Sequence, residues 1–216
     1  MKSLFLLFAL LACLPLTMTR AQEPAVVEAD WMPLFDGKTL SGWKSNDERI
    51  DVFSVVDGAI RASGGRAHLF YVGEDLGVTF KDFELKLKVK TTRGSTSGIY
   101  FHTEYQERGW PSKGYECQID NSGADRRKTG SLYGVVDVMR RSPARDGKWA
   151  DIIIKVVGRN ISITVNGKEV TKYKEPKGVK RLTAFRGRVL SEGTFALQGH
   201  SPENDVFFKD IQIREI

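Results

Sequence analysis

The chain has 216 residues, with 33 Lys and Arg against 27 Asp and Glu, a formal charge of +6, two cysteines and three histidines. That excess of base is too mild to indicate a nucleic-acid partner. Beyond the N-terminal segment nothing approaches the ~18 consecutive apolar residues that a membrane-spanning helix requires.

The N-terminal stretch MKSLFLLFALLACLPLTMTRAQ sets Lys2 ahead of an apolar run from Leu4 and closes on Thr19-Arg20-Ala21, with small residues where a signal peptidase reads. The expectation is a secretory signal over residues 1–21, cut before Gln22, and an exported, periplasmic or extracellular protein. The competing reading is a lipoprotein anchored through Cys13 in LLAC, although the apolar run before that cysteine is short and continues past it. Cleavage removes Lys2, Arg20 and no acid, leaving 31 basic and 27 acidic residues, a charge of +4. It also removes Cys13, so Cys117 becomes the sole thiol and an intrachain disulfide is excluded. Residues 22–30 read as a flexible leader and 31–216 as one domain large enough to bury its own core.

From there almost every segment reads as strand. VFSVVDGAIRA and ISITVNGKEV place Asp57-Gly58 and Asn166-Gly167 between short apolar runs, dipeptides that tolerate the positive φ of tight hairpins. FELKLKVK alternates Phe83, Leu85, Leu87 and Val89 with charged residues, so it has one buried and one solvated face. WADIIIKVVGRNISITV adds a hairpin through Gly158-Arg159-Asn160, and the C-terminal stretch reads as two strands around a polar loop. No helix of ten residues is indicated. Many short strands with dense turn signals predict an all-β, two-sheet antiparallel sandwich or jelly roll.

Several familiar motifs are absent. DGKT at Asp36 lacks the earlier glycine of a phosphate loop, because Met32 stands there, and TGSLYG is not a nucleophile elbow because Ser131 directly follows Gly130. HTEYQ from His102 lacks the second histidine of a zinc-protease helix.

The middle of the chain is the informative part. In SGIYFHTEYQ the alternation puts Tyr100, His102 and Glu104 on one face; in YECQID it puts Glu116, Gln118 and Asp120 on one face. If the two strands pair through ERGWPSKG, these six side chains form one polar patch, which is either a solvated sheet face or a sugar site. A two-carboxylate glycosidase fits poorly, since Glu116 and Asp120 would lie ~13 Å apart at their backbones whereas such carboxyls sit ~5–10 Å apart. Trp110, in the loop after Gly109, reads as the better sugar-stacking platform, while Trp43 and Trp149 adjoin strand runs and read as core. Arg126, in DRRKTG, is a candidate for contacting substrate hydroxyls, set against the plainer reading of a solvated loop. His68 reads as structural.

PLFDGKTLSGWK, SGIYFHTEYQ with KGYECQIDN, TGSLYG, the VVGRNISITVNGKEV hairpin and FALQGHSPENDVFFKDIQIREI together, in this order, resemble the 3-keto-disaccharide hydrolase family. The resemblance runs from about Trp31 to Ile216. It implies a concanavalin A-like, laminin-G-like jelly roll acting on glycosides already oxidised at C3, and it aligns Glu116, Gln118, Tyr133 and His200 with family motifs; the family often has Arg where this chain has His102. The implied chemistry is simple: a C3 ketone acidifies the C2 proton, a base removes it, the C1 substituent leaves, and water can add back. It needs a base, an electrophile for the enolate and an acid for the leaving oxygen. Glu116 is the expected base, His200 or a divalent metal the enolate stabiliser, and Tyr133 or His102 the acid. Tyr100, Glu104, Gln118, Asp120, Trp110 and Arg126 are the expected substrate contacts. The sequence specifies no certain cofactor; a divalent metal ion is the candidate, with His102, Glu104, Glu116 and His200 as its candidate ligands. The expected partner is thus a small carbohydrate, a 3-keto-glycoside, with no oligomeric state specified. The alternatives are a non-catalytic carbohydrate-binding module on the same scaffold and a laminin-G-like protein-interaction domain.

Overall fold

The structure, a computed structural model, describes residues 30–46, 49, 51–74, 77–139, 141–200 and 205–216. The expected signal segment, Cys13 and residues 22–29 of the expected leader lie outside the described residues. In chain order the strands are β1 (Met32–Pro33), β2 (Trp43–Ser45), β3 (Phe53–Val56), β4 (Ala59–Ser63), β5 (Ala67–Tyr71), β6 (Phe83–Thr91), β7 (Thr96–Thr103), β8 (Tyr115–Asp120), β9 (Ala150–Val157), β10 (Asn160–Val165), β11 (Lys168–Lys174), β12 (Thr194–Gly199) and β13 (Asp205–Glu215). Among the described residues the sole helix is a single 3-10 turn, Thr183–Phe185.

Two antiparallel sheets form a sandwich, as expected. One has the order β11-β10-β9-β6-β13-β4-β3 with β1 paired to β13; the other has the order β2-β5-β12-β7-β8. The hairpins form where the dipeptides place them: Asp57 and Gly58 have φ of 50° and 73°, Asn166 and Gly167 of 48° and 75°, so both turns carry the double left-handed geometry that matches strand twist. β6 buries alternate residues along its whole length, and its Leu85, Leu87 and Val89 lie opposite Ile154, Ile152 and Ala150 of β9. Against them the other sheet sets Ile99, Phe101, Tyr115, Cys117, Ile119, Phe195 and Leu197, all in one continuous apolar core. Each such side chain contributes roughly 1.5–3 kcal/mol by leaving water, so the core holds the sandwich without a disulfide. The Cys117 thiol is fully buried there, and burial pushes it up to about 12.

The tryptophans divide differently from expectation. Trp43 is core, its indole N–H donating to the Leu34 carbonyl at 2.7 Å. Trp149 is half-buried on the outer face of the larger sheet, with the ammonium groups of Lys90 and Lys209 over its ring at 5.0 and 4.5 Å. It begins no strand of its own, and long lysine stems cover it in place of a second sheet.

Candidate active site

The outer face of the smaller sheet is not solvated. Its last three strands carry Gln198 on β12, Tyr100 on β7 and Glu116 and Gln118 on β8 at the edge, all buried despite their polarity. Three loops rise over them, bearing Trp110, Pro111 and Ser112; Ala124, Asp125 and Tyr133; and the stretch from Thr183 to Arg188. They enclose a cavity of about 840 Å³ that His200 also lines, within the size range of small-ligand pockets.

Pairing explains the floor. Tyr100 lies opposite Glu116 and Gly98 opposite Gln118 in the β7–β8 ladder, while Ala196 of β12 lies opposite Tyr100 on the other side of β7. Gly98 provides the opening: a Cβ there would come within 2.5 Å of Glu116 Oε1. The missing side chain lets the Glu116 carboxylate lie across β7 and accept from Gln198 Nε2 at 3.1 Å; the same nitrogen donates to the Tyr100 hydroxyl at 3.1 Å. The other carboxylate oxygen accepts from Arg188 Nη2 at 2.9 Å, and the Arg188 guanidinium lies 5.3 Å from the centre of the Tyr100 ring. Gln118 Nε2 donates to the Thr96 hydroxyl at 3.1 Å.

Burial raises the Glu116 carboxyl above the usual carboxylate range, and Arg188, Tyr100 and Gln198 act against that rise. Burial and then the Glu116 charge hold the Tyr100 phenol well above its usual value. Tyr133 is likewise raised, mainly by burial, so it keeps its proton at neutral pH; its hydroxyl accepts from Arg127 at 3.4 Å, and that guanidinium lies over its ring at 4.5 Å. Desolvation lowers His200, which therefore stands neutral at pH 7. The exposed Trp110 indole packs on the His200 ring at 5.5 Å and edge-on against buried His68 at 5.4 Å, so His68 supports the platform.

Of the expected site residues, Glu116, Gln118, Tyr100, Tyr133, His200 and Trp110 line the one cavity. Four do not. His102 has φ of +54° and is the extra residue where the β7–β12 register slips between Thr194 and Phe195. This bulge breaks the alternation and turns the ring away from Tyr100, against Phe83 and Phe101 at 5.6 and 5.9 Å. Glu104 lies past the end of β7, exposed and paired with Lys113 at 3.1 Å. Asp120 is fully buried below the cavity, where its Oδ1 takes the Lys128 ammonium at 2.8 Å and the Gly123 N–H at 3.0 Å. It ties down the loop that presents Asp125. Arg126 points outward on that loop, and its neighbour Arg127 is the one engaged, with Asp125 and Asp137 at 3.4 and 3.2 Å. With His102 and Glu104 elsewhere, the expected metal-ligand quartet is not assembled, and no group of three or more His, Cys, Asp or Glu side chains converges among the described residues.

Arg188 and Gln198 were missed. Gln198 alternates with Phe195 and Leu197 in FALQGH and could have been placed by pairing that strand with β7. Arg188 sits in irregular chain, where no periodicity marks it.

A 3-keto-disaccharide hydrolase of Bacteroides thetaiotaomicron is 25% identical over 233 residues, covering 87% of this chain and 79% of that protein. A crystal structure from Parabacteroides distasonis, provisionally assigned as a glycosyl hydrolase, superposes with a TM-score of 0.72 at 22% identity, covering 86% of this chain and 94% of that one. A Bacillus subtilis protein with a galectin-like fold gives a TM-score of 0.60 at 11% identity, covering 86% and 94%. The sandwich is therefore of the galectin and concanavalin A-like type. The family model for the 3-keto-alpha-glucoside-1,2-lyase-like domain matches residues 30–214, and the chain belongs to that family.

Proposed function

We propose that the protein cleaves 3-keto-glycosides by removing the C2 proton and expelling the C1 substituent. The observation that carries this reading is the buried Glu116 carboxylate on the floor of a sugar-sized cavity, with the Arg188 guanidinium 2.9 Å away. Among the described residues the other carboxylate that lines the cavity, Asp125, is already engaged by Arg127, so the arrangement suits a reaction with one base better than a matched pair of carboxyls.

Glu116 takes the C2 proton, made acidic by the C3 ketone. The electrons move onto the C3 oxygen, and Arg188, a largely buried cation held beside Glu116, stabilises the resulting enolate. Collapse of the enolate breaks the C1–O bond, and Tyr133, protonated at neutral pH, supplies the proton to the departing oxygen. Addition of water across the C1–C2 double bond then gives net hydrolysis. Trp110 stacks on a sugar face, and Gln118 and Gln198 bind hydroxyls. His200, neutral and beside Trp110, completes the wall. The N-terminal apolar run supports export of this enzyme, and no helix among the described residues is long and apolar enough to cross a membrane.

The exposed Trp110 also favours the second reading, sugar binding without turnover. The deciding experiment incubates the protein with a 3-keto-glucoside, with and without chelator, and follows aglycone release by mass spectrometry. Release by the wild type and its loss in a folded Glu116→Gln variant support the enzyme; binding with no release supports the module.

A further inference from the structure

Behind the cavity, on the core side of β8, lies a buried charged cluster that the chemistry does not use. Glu175, just after β11, is 8% exposed. Its carboxylate accepts the hydroxyl of Tyr115, lies 3.9 Å from Arg181 Nη2, and accepts the Leu190 N–H at 3.0 Å. Arg181 donates from Nη2 to the Tyr115 and Tyr173 hydroxyls at 2.8 and 2.7 Å, and from Nε to the Arg188 carbonyl at 2.8 Å. The displaced His102 holds the same segment, since its Nδ1 accepts the Ser191 N–H at 3.3 Å while Nε2 faces the Lys81 carbonyl at 2.8 Å.

Three backbone groups within four residues therefore end on side chains from elsewhere in the fold. The segment has no ladder of its own to hold it, and irregular backbone left without partners would be free to move. Its other end is pressed onto the protein, for a Cβ at Gly187 would meet the Ser112 carbonyl at 1.8 Å, and the Gly187 carbonyl accepts from Gly114 N–H at 2.9 Å. β8 grips the loop from both faces: Tyr115 holds Glu175 on the core side, and the next residue, Glu116, holds Arg188 on the cavity side.

We propose that Glu175 is a positioning residue, which, through the Leu190 N–H and through Arg181, fixes the loop so that the Arg188 guanidinium meets Glu116. This rests on the proposed function for its catalytic meaning but not for its geometry. Glu175 touches no substrate; it acts through Arg188. Loosening the loop lets Arg188 leave, and the Glu116 carboxyl then loses the cation that opposes its burial.

The test follows the Glu116 carboxyl carbon by NMR in protein labelled at the glutamate side chain, assigned by its disappearance in Glu116→Gln. Glu175→Ala is expected to move its titration midpoint upward, in the direction that Arg188→Ala moves it, and to lower kcat/KM about 10²-fold, the cost of a displacement of about 1 Å. In an Arg188→Ala background, Glu175→Ala should cost no more than a further twofold. An unmoved midpoint in folded Glu175→Ala, or full additivity of the two losses, overturns the proposal. If Glu175→Ala does not fold, Glu175→Gln, which keeps the size and one acceptor, gives the same readout with a smaller shift. Absence of turnover in the wild type overturns the proposed function instead, because the titration needs no substrate.

Discussion

Substituting Gly98 by Ala tests whether the floor of the cavity is built as described. The backbone there is not left-handed, so alanine meets no conformational barrier, and the three atoms nearest its Cβ all belong to the Glu116 side chain, Oε1 at 2.5 Å, Cγ at 3.0 Å and Cδ at 3.1 Å. Restoring ordinary contact at 3.4 Å moves Oε1 by about 0.9 Å. The carboxylate then surrenders the Gln198 hydrogen bond and weakens the Arg188 pair, terms of about 0.5–1.5 and 1.5–3 kcal/mol. Loss of glycine's freedom in the unfolded chain returns about 0.4–1 kcal/mol. The net expectation is about 1–3 kcal/mol of destabilisation. A misplacement of about 1 Å at the reacting group costs about 10²-fold in rate, so activity falls far more than stability. Urea unfolding and kcat/KM on a 3-keto-glucoside measure the two quantities. A Gly98→Ala protein with kcat/KM within twofold of wild type would refute the placement of Glu116 across β7 as the base.

Other outcomes rest on the same geometry. Because the base must be ionised and burial raises Glu116, the acid limb of the kcat/KM profile should lie above the ordinary value of 4.5, with rate falling as pH drops through it. A limb at or below 4.5 points to another base. Lys128→Met strands the buried Asp120 carboxylate and should cost about 3–5 kcal/mol in chemical denaturation, with much of the loss recovered by adding Asp120→Asn; no recovery contradicts the pairing. Burial lowers His102, with Lys81, Asp82, Glu175 and Lys113 as its polar surroundings. The unfolded chain therefore takes up the proton first as pH falls below 6.5, so stability is full above that value and declines below it. Urea midpoints between pH 7.5 and 5 should fall more steeply for the wild type than for His102→Gln. Trp110→Ala should raise KM by tenfold or more with kcat nearly unchanged, since stacking acts on ground and transition states alike.

The fold was legible because its signals are local. The period of two in β6 and β9, and the Asp57-Gly58 and Asn166-Gly167 dipeptides, specify strands and hairpins whatever surrounds them. The same alternation brought Tyr100, Glu116 and Gln118 together, because their two strands pair side by side. It failed at His102, where one inserted residue on β7 reverses the facing of the residues beyond it; Gly114 and Gly193, whose absent side chains leave room for the His102 backbone, are the trace such a bulge leaves in sequence. Asp120 was misread because alternation says which face a side chain takes but not whether a loop closes over it, and Lys128 does close over it. Arg188 was invisible because its place depends on Glu175, Arg181 and His102, contacts between segments far apart in the chain.

The central claim is that Glu116 removes the proton from C2 of a 3-keto-glycoside before the C1 bond breaks. Turnover in deuterium oxide, followed by NMR at early times against reactions without enzyme and with Glu116→Gln, reads this directly. Unsaturated product, or sugar with deuterium at C2, is expected, together with slower release from substrate labelled with deuterium at C2. Release of a sugar that retains protium at C2, with no slowing by that label, would contradict the claim.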